Sequence, residues 1–299
     1  MTFQPDRSLV YMGPQDSGHR PLGFGGWSFG PDQWTGQEDA HLLSAMQSAL
    51  DHHITHFDTA AGYGDGYSER LIGRFLAADE RRRKQVFLAT KFASDDLSAR
   101  AMLDAVDASL ERLQTDWIDL FYIHWPRTGR DLRPWMEGLE SARQQGKIRA
   151  IGVSNFSVAQ MAQIAEVGRI DAHQLLYNLL WRFNEREIIP YCREHDIAIV
   201  TYSSIAHGIL GGRYTRDLKL VAGDQRQKIL LFRDDVWPKV YEATEAFKRV
   251  AEQAGRPLIH LAVRWLLRQP GVTSVLVGAR NAQQAEANAQ SLEGMIEDR

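Results

Sequence analysis

Eight short apolar runs, each followed by a stretch of helical periodicity, predict an α/β fold for this chain, a closed (β/α)8 TIM barrel. The runs are rich in β-branched and aromatic residues and almost continuously apolar, which is typical of parallel strands buried on both faces. A length of 299 residues suits eight such units. A doubly wound open sheet is the alternative, but residues 23–30 (GFGGWSFG) match its glycine fingerprint only loosely, because no helix opens directly behind them.

The predicted elements follow in chain order. The runs that we interpret as strands cover residues 22–27, 54–60, 85–92, 117–125, 147–154, 171–177, 197–204 and 272–279. Apolar residues recur at helical spacing in residues 42–50, 103–113, 240–254 and 258–268. Ahead of the first strand, residues 8–22 are expected to form a β-hairpin. The connection from Gly211 to about Trp237 contains no convincing strand, and a connection of this length often forms an active-site loop.

Composition and charge exclude several classes of protein. No low-complexity tract, charge block or linker divides the sequence, so we expect a single domain spanning residues 1–299. The net charge of −3 argues against a protein that binds nucleic acid by neutralising phosphates. No apolar run approaches the roughly 18–20 residues of a membrane span, and the single cysteine, Cys192, cannot form an intrachain disulfide. A cytoplasmic protein without nucleic-acid or membrane partners is therefore expected.

Three consecutive predicted strands end in polar residues that are costly to bury. The second strand ends in Asp58, the third in Lys91 and the fourth in His124, and Tyr63 follows Asp58 in a glycine-rich turn. Each has an ordinary explanation when taken alone: a helix cap, a lysine that reaches solvent, a core histidine and a packed ring. In this fold, however, the ends of the strands meet at one face of the barrel. Because an unpaired buried charge is unfavourable, we expect Lys91 to pair with Asp58 there.

Such a pair has a chemical consequence for Tyr63. A cation beside the phenol is expected to lower its pKa from the ordinary value of ~10, and a phenol of this kind beside an imidazole can donate a proton to a carbonyl oxygen. The alternative is a Schiff-base lyase with Lys91 as the nucleophile and Tyr63 relaying protons. No metal site is expected, since the neighbouring histidines His52, His53 and His56 lack the spacing of zinc ligands.

The ends of the last four predicted strands suit a large phosphorylated coenzyme. Residues with donors and acceptors for an amide such as that of nicotinamide are Ser154, Asn155 and Gln174. Tyr202 offers a flat face for a ring. Glycines that would let the backbone approach a pyrophosphate are Gly208, Gly211, Gly212 and Gly278, with Arg213 and Arg280 as cations. Together these residues favour a coenzyme-dependent enzyme over the lyase.

Five segments, in this order and spacing, resemble the aldo-keto reductases: FDTAAGYGDGYSE, ATKF, FYIHWP, GKIRAIGVSNFS and VGARNAQQAEAN. GGWSFG at 25–30 and YSSIAHGILGGRY at 202–214 place the resemblance nearer to the bacterial general-stress and inositol-operon type, and to the branch of the potassium-channel β subunits, than to aldose reductase. The resemblance implies reversible, NADPH-dependent reduction of aldehydes and ketones by an oxidoreductase that acts on CH–OH donors. It implies neither a particular carbonyl substrate nor an oligomeric state.

The resemblance also assigns roles to individual residues. Tyr63 would be the general acid, Lys91 would lower its pKa, Asp58 would hold Lys91, and His124 would orient the carbonyl. The residues implied near the reactive end of the coenzyme are Gly26, Trp27 and Asp58, with Ser154, Asn155 and Gln174 on the carboxamide and Tyr202 stacked on the ring. Those implied along the pyrophosphate are Ser203, Ile205 and Arg213. Those implied around the 2′-phosphate and adenine, which favour NADPH over NADH, are Gly278, Arg280, Gln284 and Asn288.

Two positions depart from the family pattern, and one functional alternative remains. Ala287 stands where relatives often carry a glutamate that contacts adenine, and Ser204 stands where many carry proline.

The alternative is an NADPH-binding sensor like the potassium-channel β subunits, which tend to have asparagine at the position of His124, so the histidine favours an enzyme. The residues expected to wall a pocket for aromatic or bulky carbonyl compounds are Trp27, Tyr63, Trp125 and either Trp181 or Trp237.

Overall fold

The strands close into a ring. The computed structural model describes residues 21–30, 38–221 and 224–294. Within them, eight parallel strands follow one another around a closed barrel, and the last strand pairs with the first. The predicted (β/α)8 barrel is therefore confirmed. The predicted hairpin lies, up to residue 20, outside the described residues.

Each strand lies inside the run predicted for it. The strands are β1 (Leu22–Gly25), β2 (His56–Asp58), β3 (Phe87–Phe92), β4 (Ile118–Ile123), β5 (Ile148–Ser154), β6 (Ala172–Leu176), β7 (Ala198–Tyr202) and β8 (Val272–Val277). The register aligns Lys91 of β3 with Tyr122 of β4, and Tyr122 with Gly152 of β5. Because every strand runs in the same direction, all of the carboxyl ends meet at one mouth of the barrel.

Helices surround the strands. They are α1 (Asp39–Asp51), α2 (Tyr67–Ala77), α3 (Glu80–Gln85), α4 (Ala99–Leu113), α5 (Arg133–Gln144), α6 (Val158–Ala165), α7 (Ile188–Glu194), α8 (Trp237–Gln253), α9 (Leu258–Leu267) and α10 (Ala282–Ala289). The four periodic segments of the sequence correspond to α1, α4, α8 and α9. A capping box starts α6, since Ser157 Oγ accepts the Gln160 N–H while Gln160 Oε1 accepts the Ser157 N–H. In the described parts of the chain, none of these helices combines the length and apolar character that a bilayer crossing requires.

The barrel interior is filled by side chains, and one glycine makes room for a large one. Tyr122 is fully buried and points into the interior with Leu120, Ala150 and Val200. A Cβ on Gly152 would lie 2.3 Å from Cδ1 of Tyr122. The absence of a side chain at this position on β5 therefore admits the phenol ring from β4 directly beside Lys91.

The long connection after β7 has an apolar core, which it shares with α8 and α9. Its described residues, 211–221 and 224–236, form two short 3-10 helices, Gln225–Lys228 and Leu230–Phe232, and no strand, as expected. Trp237 stacks on Phe232 with ring centroids 5.9 Å apart, and its Nε1 donates to the Arg216 carbonyl at 2.8 Å. Trp237 is thus buried in this core and has almost no surface to offer a substrate.

Replacing Gly152 with alanine is expected to reduce the free energy of unfolding by about 1–3 kcal/mol. The new methyl group would overlap the Tyr122 ring, 2.3 Å away, and approach the Ala172 carbonyl oxygen at 3.1 Å. Urea unfolding measures the change. Gly211→Ala is the matched control, because a Cβ there meets nothing within 4 Å. Equal stability of the two variants would contradict the packing argument.

Candidate active site

A buried ion pair lies at the mouth of the barrel. Asp58 at the end of β2 and Lys91 near the end of β3 are 2% and 0% exposed. Lys91 Nζ donates to Asp58 Oδ1 at 2.7 Å and to the Thr59 carbonyl oxygen at 2.7 Å. The predicted pairing is therefore present, and both charged groups are shielded from water.

The side chain of Gln174 reaches the same carboxylate from β6, on the other side of the barrel. Its Nε2 donates to Asp58 Oδ2 at 2.7 Å, so each oxygen of the carboxylate has a donor. The sequence alone suggests that Gln174 contacts a nicotinamide amide and does not predict its contact with Asp58. Only the closure of the barrel brings β6 within reach of β2, and no local pattern signals it.

Tyr63 and His124 complete the predicted group of four. The Tyr63 ring lies over the ammonium, with Lys91 Nζ 4.9 Å from the ring centroid. The His124 ring meets it edge-on, with centroids 5.7 Å apart and planes at 80°. The structure thus brings Asp58, Tyr63, Lys91 and His124 together, as the sequence predicted.

Burial and charge act in opposite directions on the pKa values of this cluster. Burial raises the pKa of Tyr63 above its ordinary value, and Lys91 opposes that rise without cancelling it. The expectation that Lys91 leaves the phenol with a lowered pKa is therefore wrong for this chain by itself, because burial is the larger effect. Burial also tends to lower the pKa of Lys91, but Asp58 and Tyr63 outweigh it and raise that pKa. The site therefore holds a protonated phenol beside a charged ammonium at neutral pH.

His124 is neutral in this setting. Burial, with a smaller contribution from the charge of Lys91, lowers the pKa of His124 to about 3. A neutral imidazole can form hydrogen bonds to an uncharged carbonyl group without bringing a second cation into the mouth. Trp125 stacks on His124 with centroids 5.8 Å apart and is 47% exposed, so its ring lies beside the mouth of the barrel.

The residues predicted to hold an amide contact one another beside His124. Asn155 has a left-handed backbone with φ of 64°. Its Nδ2 donates to the His124 carbonyl oxygen at 3.3 Å and to Ser154 Oγ at 3.0 Å, and its Oδ1 accepts from the Tyr202 hydroxyl at 2.8 Å. The loop ends of β4, β5 and β7 are thereby joined around one amide side chain.

The turn after β1 contacts Ser68 and His207, two residues that no sequence pattern singles out, as well as Asp58. The Gly26 N–H donates to the Asp58 carbonyl oxygen at 2.8 Å, and Ser68 Oγ donates to the Gly26 carbonyl oxygen at 3.0 Å. Trp27 meets His207 of the loop after β7 edge-on, with centroids 5.5 Å apart. His207 has φ of 53°, and its position in a glycine-rich loop is the one sequence signal that could have marked it.

The predicted phosphate-side residues gather at the ends of β7 and β8. Asn288 Nδ2 donates to the Gly278 carbonyl oxygen at 3.1 Å, and the Arg280 N–H donates to Gln284 Oε1 at 3.0 Å. Residues on the β7 side are Ser203, with φ of 54°, and Ile205 and Arg213, which flank a 3-10 turn at Ala206–Gly211.

Two buried hydroxyl oxygens in this region have no hydrogen-bond partner among the described residues. They belong to Ser203 and to Ser28, which the sequence analysis did not single out. Ser28 Oγ lies 3.9 Å from the point that a Cβ on Gly278 would occupy, and Gly278 itself is exposed. The bare backbone of Gly278 and the unused hydroxyl of Ser28 therefore lie close together beside the end of β8.

The two residues that depart from the family pattern, Ser204 and Ala287, both have hydrogen-bond partners. Ser204 is 1% exposed, and its hydroxyl bonds back to the Thr201 carbonyl oxygen at 3.2 Å, which closes the turn after β7. The Ala287 carbonyl oxygen lies 3.3 Å from His260 Nε2, which links α10 to α9. Among the described residues, no group of three or more His, Cys, Asp or Glu side chains could hold a metal ion.

The fold and site together define a (β/α)8 barrel with a buried Lys–Asp pair, a tyrosine and a neutral histidine at its mouth. The profile of the aldo/keto reductase family matches residues 21–298. The chain is 36% identical to the aldo-keto reductase YhdN of Bacillus subtilis over 275 residues, covering 89% of this chain and 83% of that one. It is 29% identical to the NADH-specific methylglyoxal reductase of Escherichia coli, covering 97% and 94% of the two chains.

Other relatives extend the comparison. A probable voltage-gated potassium channel β subunit of Arabidopsis thaliana is 26% identical, with 91% and 87% of the chains covered. The glycerol dehydrogenase AKR11B4 of Gluconobacter oxydans superposes with a TM-score of 0.84 at 31% identity, covering 94% and 89%. An aldo/keto reductase of Klebsiella pneumoniae in complex with NADP and acetate superposes with a TM-score of 0.73 at 26% identity, covering 93% and 88%.

The chain belongs to the aldo/keto reductase family. The predicted likeness to its bacterial and channel-subunit branches is confirmed. Members of the family act on small carbonyl compounds with nicotinamide coenzymes, NADP(H) among them, and this chain is accordingly an oxidoreductase that depends on such a coenzyme.

The neutral state of His124 is expected to make stability depend on pH. An unfolded histidine titrates near pKa ~6.5, whereas the pKa of His124 in the fold is about 3. Between these values the unfolded chain binds more protons, so the free energy of unfolding decreases as the pH is lowered, by up to ~1.4 kcal/mol per pH unit. His124→Asn cannot titrate and should lose less stability between about pH 6 and pH 4 in urea unfolding. Parallel pH profiles would mean that the pKa of His124 in the fold is the same as in the unfolded chain.

Proposed function

We propose that this chain reduces aldehydes and ketones to alcohols with NADPH, by reversible hydride transfer. The observation that carries the proposal is the buried Lys91–Asp58 pair directly beside Tyr63. A charged ammonium in contact with a protonated phenol makes that phenol a proton donor, because the cation stabilises the phenolate that remains. Reduction of a carbonyl requires such a donor at the oxygen.

The residues at the mouth fit a nicotinamide coenzyme. The unused hydroxyl of Ser203 and the bare backbone at Gly25 and Gly278, where a Cβ would meet nothing closer than 3.8 Å, suit the oxygens of a pyrophosphate. The cluster around Asn155 suits a carboxamide, and Gln174, held by Asp58, faces the same mouth. When bound, the coenzyme supplies the hydride.

Each residue of the group has a distinct task in this proposal. Tyr63 donates a proton from its hydroxyl to the carbonyl oxygen. The charge of Lys91 stabilises the resulting phenolate, and Asp58 keeps Lys91 charged and in place. His124, neutral at working pH, orients the carbonyl oxygen by hydrogen bonding. Trp27 and Trp125 wall the entrance and favour aromatic or bulky substrates.

Two other functions are supported less well. As a Schiff-base nucleophile, Lys91 would need an unprotonated amine, but it is fully buried and its pKa is raised. A coenzyme-binding sensor is the second candidate, and it rests on the likeness to the potassium-channel β subunit. We place the reaction in the cytoplasm, a proposal that rests on the single, buried Cys192.

Tyr63→Phe is expected to lower kcat for NADPH-dependent reduction of aromatic aldehydes and quinones by roughly 10²–10⁴-fold. The ring over Lys91 is kept and only the proton donor is lost, so NADPH affinity should not change. NADPH consumption and tryptophan fluorescence measure the two quantities. Lys91→Met should likewise abolish turnover and leave NADPH binding largely intact.

Three outcomes would count against this account. Full activity in Lys91→Met would contradict the activation of Tyr63. Tight NADPH binding by the wild-type chain without turnover of any carbonyl compound would favour the sensor. A wild-type chain that binds neither NADPH nor NADH would overturn the proposal as a whole.

Arg280→Ala is expected to weaken NADPH binding by roughly tenfold or more and to leave NADH binding unchanged. Arg280 is an exposed cation at the start of α10, where the resemblance places the 2′-phosphate, which NADH lacks. Titration of each coenzyme against tryptophan fluorescence measures both constants. Arg213→Ala is the control, since a pyrophosphate contact should weaken both coenzymes alike. Equal losses for NADPH and NADH in Arg280→Ala would remove the argument for NADPH.

A further inference from the structure

Where the chain leaves the barrel after Asn155, a buried backbone N–H needs a hydrogen-bond acceptor. The Asn155 N–H still donates to the Gln174 carbonyl oxygen of β6, at 3.2 Å. The left-handed backbone at Asn155, with φ of 64°, then turns the chain towards α6. The next amide belongs to Phe156, a residue only 2% exposed. A buried N–H without an acceptor is strongly unfavourable, so this amide needs a partner.

His173 supplies that partner from β6. Successive residues of a strand face opposite sides, so His173 points into the layer of helices while Gln174 points to the mouth. Its Nε2 accepts the Phe156 N–H at 3.2 Å. The ring is 1% exposed. The polar ring of His173 therefore meets a specific requirement of the loop.

The protonation state of the ring follows from its two neighbours. Because Nε2 accepts a hydrogen bond from an N–H, the ring proton must reside on Nδ1. Nδ1 lies 3.7 Å from Sγ of Cys192 on α7, which can accept it weakly. Burial lowers the pKa of His173 to about 3, so this neutral form persists at neutral pH.

We propose that His173 is a positioning residue for the coenzyme amide: by accepting the Phe156 N–H, it fixes Asn155 in its left-handed conformation. In that conformation the Asn155 side chain contacts Tyr202 and the main chain of His124. A loop that is already ordered loses less conformational entropy when the coenzyme binds. The inference rests on the proposed function, in which Asn155 binds the nicotinamide carboxamide.

The test separates the effect of the hydrogen bond that His173 accepts from the effect of the volume that its side chain fills. His173→Leu fills the space without an acceptor, and His173→Gln places an amide oxygen near the position of Nε2. Cys192→Ala is the control that perturbs packing on the other side of the ring and leaves the Phe156 contact in place. For each full-length protein, NADPH dissociation constants come from tryptophan fluorescence, kcat from assays at saturating NADPH, and stability from urea unfolding.

We expect His173→Leu to raise the NADPH dissociation constant by roughly tenfold, with kcat at saturating coenzyme changed by less than about twofold. His173→Gln should restore affinity to within about threefold of wild type, and Cys192→Ala should leave it unchanged. Wild-type affinity in His173→Leu with lower stability would show a merely structural role and overturn the inference. Failure of glutamine to restore affinity would overturn it as well.

A second measurement tests the contact in the unaltered protein. The ¹⁵N spectrum of the His173 ring should show a protonated Nδ1 and an unprotonated Nε2, and the Phe156 amide should exchange slowly with solvent. The opposite tautomer or rapid exchange would overturn the inference even if His173→Leu does not fold. A wild-type chain that does not bind NADPH would remove the proposed function and this inference together, whereas unchanged affinity in His173→Leu removes this inference alone.

Discussion

The contact between the ammonium of Lys91 and the carboxylate of Asp58 is the interaction on which the mouth of this barrel depends. Taking two charges out of water is unfavourable unless every donor and acceptor is satisfied. Asp58 accordingly receives Lys91 on one oxygen and Gln174 on the other, and Lys91 also reaches the Thr59 carbonyl. One charged cluster thus links the carboxyl ends of β2, β3 and β6. Removing one partner would leave the other charge buried and uncompensated.

The same cluster explains the balance that governs Tyr63. Burial alone would make the phenol a poorer acid, and the nearby ammonium works against that effect. The two tendencies have a common origin, since the low-polarity surroundings that raise the pKa of the phenol also strengthen its attraction to Lys91. An exposed lysine would be screened by water and would influence Tyr63 far less. Shielding of Lys91 from water and its effect on the Tyr63 phenol are therefore inseparable in this arrangement.

The sequence predicts the fold and the four central residues because both follow from local pattern. Continuous apolar runs identify buried parallel strands, and strand direction alone brings Asp58, Lys91 and His124 to one face. The sequence does not predict the contact of Gln174 with Asp58 or the support that Ser68 gives to Gly26. Those contacts join residues far apart in the chain and depend on barrel closure and helix packing. The sequence also does not predict that the pKa of Tyr63 is raised, because the depth of burial is a property of the whole fold.

The connection between β7 and α8 carries an apolar core that is distinct from the core of the barrel. Its folding is therefore secured largely by its own residues together with α8 and α9, and not by the strands that bear the charged cluster. Insertions or exchanges in this segment can accumulate over generations without disturbing the groups that move the proton. Selection for new substrates can thus act on one part of the molecule while the reaction chemistry is inherited unchanged in another.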